Sequence, residues 1–460
     1  MDLFRKKEII GSIKKGSELT KCLTALDLTF FGVGAIIGAG IFILTGVVAA
    51  TQAGPAVIFS YILAGIACVF AALSYAELAS SIGGCGSAYG YAYAGFGELI
   101  AWIVGWDLLL EYAISVSAVS VGWSSYASDF LTAIKLPLPK LFLYGPIQGG
   151  ILNAPAVLII ALLTGLLIIG VKSSSRINNL MVTVKLLIVL LFIVVASTEV
   201  KVANWSPFMP FGWSGVIKGA SLIFFAYIGF DAVSTAAEEA INPQRDLPRG
   251  IIGSLIICTV LYILVAGLLT GMVSYSTLNV ASPISNALLT LGYKTIAGFI
   301  SIGAVTGLTT VMLVLFYGLT RVLLAMSRDG LLPTIIAKTG TSRHTPARSI
   351  LLCGILMSFL AALTPIDVLA ELVNVGTLFA FIVVCLGVLY LRYTQPDMER
   401  PFKVPGMPYV PILGALACFY LMIHLPWVTL MRFILWMVIG LLIYFAYSRT
   451  HSVLATPKKR

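Results

Sequence analysis

Twelve apolar stretches dominate this sequence and restrict what it can fold into. A run of about 20 apolar residues is long enough for one helix to cross a lipid bilayer. Charged residues make up only 10% of the 460 residues, against about 25% in an ordinary soluble domain. The stretches lie at 28–50, 56–80, 98–131, 153–171, 177–197, 214–238, 249–275, 294–327, 346–364, 366–391, 408–424 and 427–449. The sequence therefore predicts an all-α integral membrane protein with twelve transmembrane helices.

The positions of lysine and arginine test this count, because positive charge concentrates on the cytoplasmic side of membrane proteins. With the amino terminus inside, 22 of the 29 basic residues fall in inside segments and five fall in outside segments. Lys185 and Arg432 remain within spans. The net charge of +10 is thus explained by topology rather than by nucleic acid. We expect a plasma or inner membrane location, both termini in the cytoplasm, and no cleavable signal peptide.

The residue types that serve catalysis and metal binding are scarce. Seven cysteines are scattered without a CxxC pair, and we interpret them as small apolar residues rather than disulfides or metal ligands. Only three histidines occur, and none lies near a cysteine or carboxylate cluster. We therefore expect no catalytic residues, no metal and no cofactor. A channel would need a continuous polar stripe or charged ring along several spans, and the sequence has none.

The first span contains the glycine-rich stretch FGVGAIIGAGIF at 31–42. A dinucleotide-binding loop needs a preceding strand in a soluble βαβ unit, which this setting does not provide. Two readings remain: a face of small residues that packs closely on other helices, or a helix that breaks in mid-membrane. In a broken helix, the outer half would present N–H groups to the membrane centre and attract a carboxylate. These would be the N–H groups of Ala39, Gly40 and Ile41.

The sixth span contains a second interruption, in the stretch FFAYIGFDAVSTAAEEA at 224–240. Gly229 and Asp231 interrupt the apolar run near its middle. Because this span runs from outside to inside, its outer half would end at the membrane centre and present carbonyls to a cation. Those carbonyls belong to Phe225, Ala226 and Ile228. The two interruptions together would bind a zwitterion, with the carboxylate on span 1 and the amine on span 6.

The spacing of the interruptions indicates an internal repeat. They fall in the first and sixth spans, and a five-span unit must be inverted when it is repeated. We expect two five-helix repeats, followed by two additional helices. The predicted division of the chain is a cytoplasmic leader at 1–25, repeats at 26–200 and 201–392, the two extra helices at 393–450 and a cytoplasmic tail at 451–460.

Four motifs resemble the amino acid–polyamine–organocation superfamily, and its cationic amino acid transporters and their bacterial relatives in particular. They are GVGAIIGAGIFILTGVVAATQAGPA at 32–56, GSAYGYAYAGFGELIAWIVGWDLLLEY at 86–112, EEAINPQRDLPRGI at 238–251 and SRDGLLP at 327–333. The resemblance implies an amino acid transporter with a five-plus-five inverted-repeat fold that works by alternating access. It also implies substrate contacts with the backbone of Ile37, Gly38, Ala39, Gly40, Phe225, Ala226 and Ile228. Relatives of this branch carry neutral as well as cationic amino acids.

Lys185 lies inside the fifth span, roughly 10 Å along a helix from Asn178. One reading is a lysine that extends its stem to the interface. The other is a buried lysine that carries a proton, because desolvation disfavours its charged form. The resemblance favours the second reading. Sodium-coupled members of this fold hold sodium between the first, fifth and eighth helices, and some proton-coupled relatives place a lysine there. We therefore expect the proton as the coupling ion.

The carboxylates within the spans have open roles. Asp107 and Glu111 share a face of the third span and could meet a cationic side chain or a proton, or bond to a neighbouring helix. Asp231 is expected to cap freed N–H groups rather than bind substrate. Glu238, Glu239, Arg245 and Asp246 form a loop network or a gate at the cytoplasmic mouth, and Arg432 is an interfacial anchor.

The leading hypothesis is a proton-coupled importer of cationic or small neutral amino acids. The alternative is an amino acid exchanger on the same fold. Expected partners are the amino acid substrate and membrane lipids, without nucleic acid, and we expect a monomer.

Overall fold

The computed structural model describes residues 3, 5–6, 23–82, 87–133, 135–136, 138–169, 175–237, 240–280, 282–333 and 347–455. Over these ranges the chain is helical and contains no strand. The first helices are α1 (Ala25–Ile36), α2 (Thr45–Val48), α3 (Val57–Ser81), α4 (Ser87–Gly95), α5 (Glu98–Ala133), α6 (Ala154–Ile169), α7 (Ser175–Thr198), α8 (Gly212–Ile223) and α9 (Ala232–Thr235). The later helices are α10 (Pro243–Met272), α11 (Pro283–Thr290), α12 (Lys294–Arg328), α13 (Ala347–Leu363), α14 (Ile366–Thr394), α15 (Tyr409–Ile423), α16 (Trp427–Ile443) and α17 (Arg449–His451).

Every predicted apolar stretch coincides with helix in the described part of the chain. Eight helical stretches there are long and apolar enough to cross a membrane. Four more, α1, α6, α13 and α15, are apolar but shorter. The all-helical membrane architecture is therefore confirmed, while the number of spans stays a prediction.

The start of α1 is fixed by local chemistry. The Thr24 hydroxyl accepts a hydrogen bond from the backbone N–H of Asp27, and the Asp27 carboxylate accepts one from the N–H of Thr24. This capping box satisfies two N–H groups that a helix start leaves free. Asn179 of α7 donates to the other Asp27 oxygen at 2.7 Å. The same carboxylate therefore also joins α1 to α7.

Helix α5 forms the centre of the packing. Its 36 residues extend over roughly 54 Å, and it packs against α12 and α14 along much of that length. Helix α1 lies against α10 and α7 on another side. Trp102, Tyr112 and Tyr126 on α5 are fully buried. Helix α1 also contacts α12, so the predicted first and eighth spans are neighbours.

The cysteines behave as small apolar residues where the structure describes them. Cys68, Cys258, Cys353, Cys385 and Cys418 are free thiols and are buried. This agrees with their interpretation from the sequence. Two further cysteines, at positions 22 and 85, lie outside the described residues.

Candidate functional site

The helical backbone of the first span stops within the glycine-rich stretch. Helix α1 ends at Ile36, and Ile37 is extended with φ −71° and ψ 99°. Helical structure begins again as a π-helical segment at Gly40–Leu44. The first N–H groups of a helical segment have no acceptor within that segment. Gly40 and Ile41 therefore supply the first N–H groups of a new helical segment, which begins close to the end of α1.

A second stop occurs in the sixth span. Helix α8 is followed by a 3₁₀ turn at Phe224–Tyr227, and Ile228 is extended with ψ 136°. Gly229 then takes φ 118°, a conformation that residues with a Cβ rarely adopt. Helix α9 starts three residues later and is only four residues long. The carbonyl end of α8 and its 3₁₀ turn thus lies beside a glycine that turns the chain.

The two interruptions touch each other. A Cβ atom built on Gly40 would lie 2.3 Å from the Cα of Ala226. A Cβ atom built on Gly229 would lie 3.0 Å from the carbonyl carbon of Ala35. Only the absence of these side chains lets the two backbones come so close. Glycine–backbone contacts therefore bring the two stretches together, while their common role in substrate binding stays a prediction.

Tyr262 of α10 joins the two interruptions. Its hydroxyl lies 2.8 Å from the Ile36 carbonyl oxygen and 2.7 Å from the Ala226 carbonyl oxygen. One hydroxyl proton can serve only one of these acceptors at a time. Sequence reasoning missed Tyr262, because a tyrosine within an apolar span carries no signal of the carbonyls that it will meet.

Hydroxyl groups also lie around the helical segment Gly40–Leu44. Thr45 donates to the Ile41 carbonyl at 2.8 Å, and its oxygen lies 2.6 Å from the Tyr61 hydroxyl. Tyr126 donates to the Phe42 carbonyl at 2.7 Å. These bonds join the segment to α3 and α5 through carbonyl and hydroxyl oxygens.

A cavity lies between the interruptions and two neighbouring helices. Its empty volume is about 260 Å³ when every gap between atoms and the part that opens to solvent are counted, but only about 10 Å³ is open to the centre of a water molecule, so the cavity is narrow in this conformation. Its walls are formed by Ala35, Ile36, Gly38, Ala39, Gly40, Ser115, Val119, Phe225, Ile228, Val311 and Leu315. Five of the residues predicted to bind substrate are among them, while the buried residues Ile37, Ile41 and Ala226 lie beside the walls. The contributions of α5 and α12 were missed, because apolar residues and a serine look like ordinary helix packing in the sequence.

Lys185 lies at the carbonyl end of α1. Its side chain is 1% exposed. The ammonium donates to the Gly34 carbonyl at 2.9 Å and to the Ile37 carbonyl at 2.8 Å. Its stem packs on α12, where a Cβ on Gly307 would lie 2.8 Å from the lysine Cε. The stem therefore does not run to the interface, and Lys185 of α7 contacts both the first and the eighth spans.

The carboxylates of the third and sixth spans form a separate buried cluster. Asp107, Glu111 and Asp231 are at most 1% exposed, and none of them lines the cavity. Glu111 bonds to Thr377 of α14, and a Cβ on Gly376 would lie 2.6 Å from Asp107 Oδ1. Both oxygens of Asp107 and one oxygen each of Glu111 and Asp231 have no hydrogen-bond partner. The cluster therefore faces α14 rather than the cavity.

The side chain of Asp231 has a partner besides the predicted backbone N–H groups. The residue occupies the position before α9, yet its side chain makes no capping hydrogen bond. Its Oδ2 atom instead accepts a hydrogen bond from the Tyr112 hydroxyl at 2.9 Å. Backbone N–H groups of Gly229, Asp231 and Ala232 also lie close to this carboxylate and interact with it. Capping of freed N–H groups therefore stays a prediction, while the bond from Tyr112 of α5 is one that the local sequence could not indicate.

The predicted cytoplasmic residues are only partly described. Glu238 and Glu239 lie outside the described residues, so the predicted network cannot be traced through them. Arg245 and Asp246 begin α10, the first exposed and the second buried. Arg432 of α16 is exposed, as expected for an interfacial anchor.

The fold defines a class: a multi-pass α-helical membrane protein, here with a cavity beside two interruptions of the helical backbone. The chain belongs to the amino acid permease family, whose family model matches residues 23–447. The expected membership in the amino acid–polyamine–organocation superfamily is thereby confirmed.

Relatives with established names agree with this membership. The branched-chain amino acid permease BcaP of Bacillus subtilis is 50% identical over 98% of this chain and 99% of its own length. The methylthioribose transporter of the same organism is also 50% identical, over 98% and 99%. The vacuolar cationic amino acid transporter 4 of Arabidopsis thaliana is 40% identical over 86% of this chain and 68% of its own length. All are named as permeases or transporters, so the chain is a transport protein and not an enzyme.

Proposed function

We propose that this protein is a secondary active transporter that carries small amino acids across the membrane by alternating access. The observation that carries the proposal is the crossing of the two helix interruptions at the cavity, with Gly40 against Ala226. The N–H groups of Ala39, Gly40 and Ile41 suit a carboxylate, because a helix start attracts negative charge. The carbonyls of Phe225, Ala226 and Ile228 suit an ammonium group.

The cavity walls favour a neutral side chain over a cationic one. None of the lining residues carries a charge, and a cationic side chain placed there would be buried without a counter-charge. Asp107 and Glu111 lie outside the walls. Val311 also restricts the space, because it lies 3.3 Å from where a Cβ on Gly38 would be. Small neutral amino acids therefore fit better than arginine or lysine.

The methylthioribose transporter of Bacillus subtilis suggests a second substrate class at equal identity. Methylthioribose has neither a carboxylate nor an ammonium group. Its hydroxyl groups could hydrogen-bond to both helix ends, but it has no charges to match the opposite partial charges there. An amino acid uses both, so we favour the amino acid.

The interruptions belong, in this proposal, to a five-plus-five inverted repeat. Residues 26–200 form the first repeat and residues 201–392 the second, with two extra helices at 393–450. The proposed setting is the plasma membrane with both termini in the cytoplasm, which agrees with the distribution of basic residues. We propose that the monomer is the transporting unit.

Coupling to a proton is proposed through Lys185. The charged ammonium satisfies two carbonyls at the broken end of α1, where the helix dipole favours a cation. Loss of the proton would weaken this attachment of α1 to α7 and free the inner half of span 1 to move. Glu111 and Asp107 are a second candidate for the proton, since their unpartnered oxygens are buried on α5.

Purified protein in liposomes tests transport and coupling together. Symport predicts uptake of radiolabelled alanine into empty vesicles, driven by an inward proton gradient and collapsed by a protonophore. Exchange predicts uptake only into vesicles preloaded with an amino acid. Uptake of methylthioribose with no uptake of any amino acid would contradict the proposed substrate class.

Variants of Lys185 separate a role in proton coupling from a role in holding the helices together. Lys185→Ala and Lys185→Arg should both reduce gradient-driven accumulation to background, because alanine carries no proton and arginine does not release one. Lys185→Arg keeps the positive charge and should retain part of the exchange activity. Lys218→Ala, which removes an exposed lysine of α8, is the matched control. Full accumulation by Lys185→Arg would remove the coupling proposal and leave the transport proposal intact.

A further inference from the structure

The wall of the cavity opposite the two interruptions contains a single polar side chain. If the substrate's carboxylate and ammonium occupy the interruptions, its side chain must face the remaining wall, which α5 and α12 supply. That wall consists of Ser115, Val119, Val311 and Leu315. Ser115 is the only one of all the lining residues with a polar side chain.

The hydroxyl of Ser115 is buried without a partner. The residue is 1% exposed, and its Oγ atom has no hydrogen-bond partner. A serine within a helix commonly donates to a carbonyl three or four residues earlier. Ser117 of the same helix donates to the Ala113 carbonyl at 2.9 Å, and Ser120 donates to the Ser117 carbonyl at 2.7 Å. Ser115 departs from this pattern at the position that borders the cavity.

An unpartnered buried hydroxyl is unfavourable, so its occurrence at a ligand cavity indicates that a ligand completes it. We infer that Ser115 is a specificity-determining residue that hydrogen-bonds a hydroxyl group on the substrate side chain. The inference rests on the proposed function, and it names the substrate class as small amino acids with a β-hydroxyl, threonine and serine. Valine fills the same space as threonine but offers a methyl group where threonine offers the hydroxyl. The cavity therefore binds threonine in preference to valine.

The threonine–valine pair gives a direct test in proteoliposomes. Transport of labelled threonine and labelled valine is measured for the wild type, Ser115→Ala, Ser115→Cys and the matched control Ser120→Ala. The wild type should prefer threonine by roughly three- to tenfold in uptake efficiency, the range expected for one hydrogen bond. Ser115→Ala and Ser115→Cys should lose this preference, since a thiol is only a weak donor. Ser120→Ala should keep it.

A second measurement excludes a purely structural role. Because the Ser115 hydroxyl has no partner in the protein, its removal should leave the thermal unfolding temperature of the ligand-free protein unchanged or slightly raised. Threonine should raise that temperature in the wild type more than in Ser115→Ala, while valine should act equally on both.

The outcomes distinguish the inference from the function on which it rests. Equal transport of threonine and valine by the wild type, unaltered in Ser115→Ala, would overturn the role of Ser115 alone. Loss of preference in Ser115→Ala but not in Ser115→Cys would also overturn it, because side-chain volume rather than hydrogen bonding would then decide. Failure of the wild type to transport any amino acid would remove the proposed function and this inference with it.

Discussion

The two helix interruptions meet at one cavity but are produced by different physical means. In the first span, Ile37 leaves the helix with an ordinary negative φ of −71°. Side chains from distant helices, Lys185 and Tyr262, then satisfy the freed carbonyls. In the sixth span, Gly229 takes φ 118°, which the local chain allows only because glycine has no Cβ. Distant side chains also satisfy carbonyls at the second interruption, where Tyr262 bonds to Ala226 and Asn374 bonds to the end of α8. Both interruptions therefore have tertiary partners, and only the second also needs a glycine at positive φ.

The largest effect should follow from closing the contact that the two interruptions share. Gly40→Ala places a methyl group 2.3 Å from the Ala226 Cα, which belongs to the backbone and cannot move aside like a flexible side chain. Amino acid uptake should fall to background, and overpacking should lower the free energy of unfolding by about 1–3 kcal/mol. Proteoliposome uptake and thermal unfolding measure the two effects.

The control for Gly40 is Gly298→Ala in α12, because no atom lies within 4 Å of a Cβ built there. That variant should transport normally and unfold at the same or a slightly higher temperature, since alanine favours helix more than glycine. Normal uptake by Gly40→Ala would contradict the prediction, because transport would then not require the close contact between Gly40 and Ala226.

Gly229→Ala should have the next largest effect. The positive φ becomes strained, at about 1–3 kcal/mol, and the new Cβ presses on Ala35 at 3.0 Å. Gly292→Ala is a matched control, because Gly292 has φ 91° and no neighbour within 4 Å of an added Cβ. It measures the cost of backbone strain without the cost of a close contact. The unfolding temperature of Gly229→Ala should fall below that of Gly292→Ala. Equal values for the two variants would mean that the approach to Ala35 contributes nothing.

The smallest effect should come from Tyr262→Phe, which removes the bridge but keeps the ring. A neutral hydrogen bond contributes about 1 kcal/mol, so the loss of unfolding free energy should be of that order and uptake should fall severalfold. Tyr393→Phe on an exposed tyrosine is the control. If Tyr262→Phe transports as well as the wild type, the hydroxyl does not hold the interruptions together.

Much of the helical architecture could be predicted because its causes are local. An apolar stretch must form a helix in lipid, where each backbone N–H and carbonyl needs a partner within the segment. The stretch predicted at 98–131 and helix α5 at Glu98–Ala133 agree closely for this reason. The stop after Ile36 and the turn at Gly229 also fall where glycine weakens the helix.

The parts of the site that could not be predicted depend on which helices become neighbours. Tyr262, Ser115 and Val311 are ordinary residues of amphipathic or apolar helices, and only packing brings them to the interruptions. The hydrogen bond of Asp231 was missed for the same reason, because its partner Tyr112 comes from α5. Asp231 and Tyr112 are 119 residues apart in the sequence. No local sequence pattern extends over such a separation.

The sequence by itself determined that this chain is a helical membrane protein with two weak points in its helices, since hydropathy and glycine propensity act over a few residues. Tertiary structure alone decided that Gly40 meets Ala226, that Lys185 binds the end of α1, and that the Ser115 hydroxyl is left unpaired at the cavity. Hydrogen bonds and close contacts of this kind join residues from different helices, so they exist only once the helices have packed.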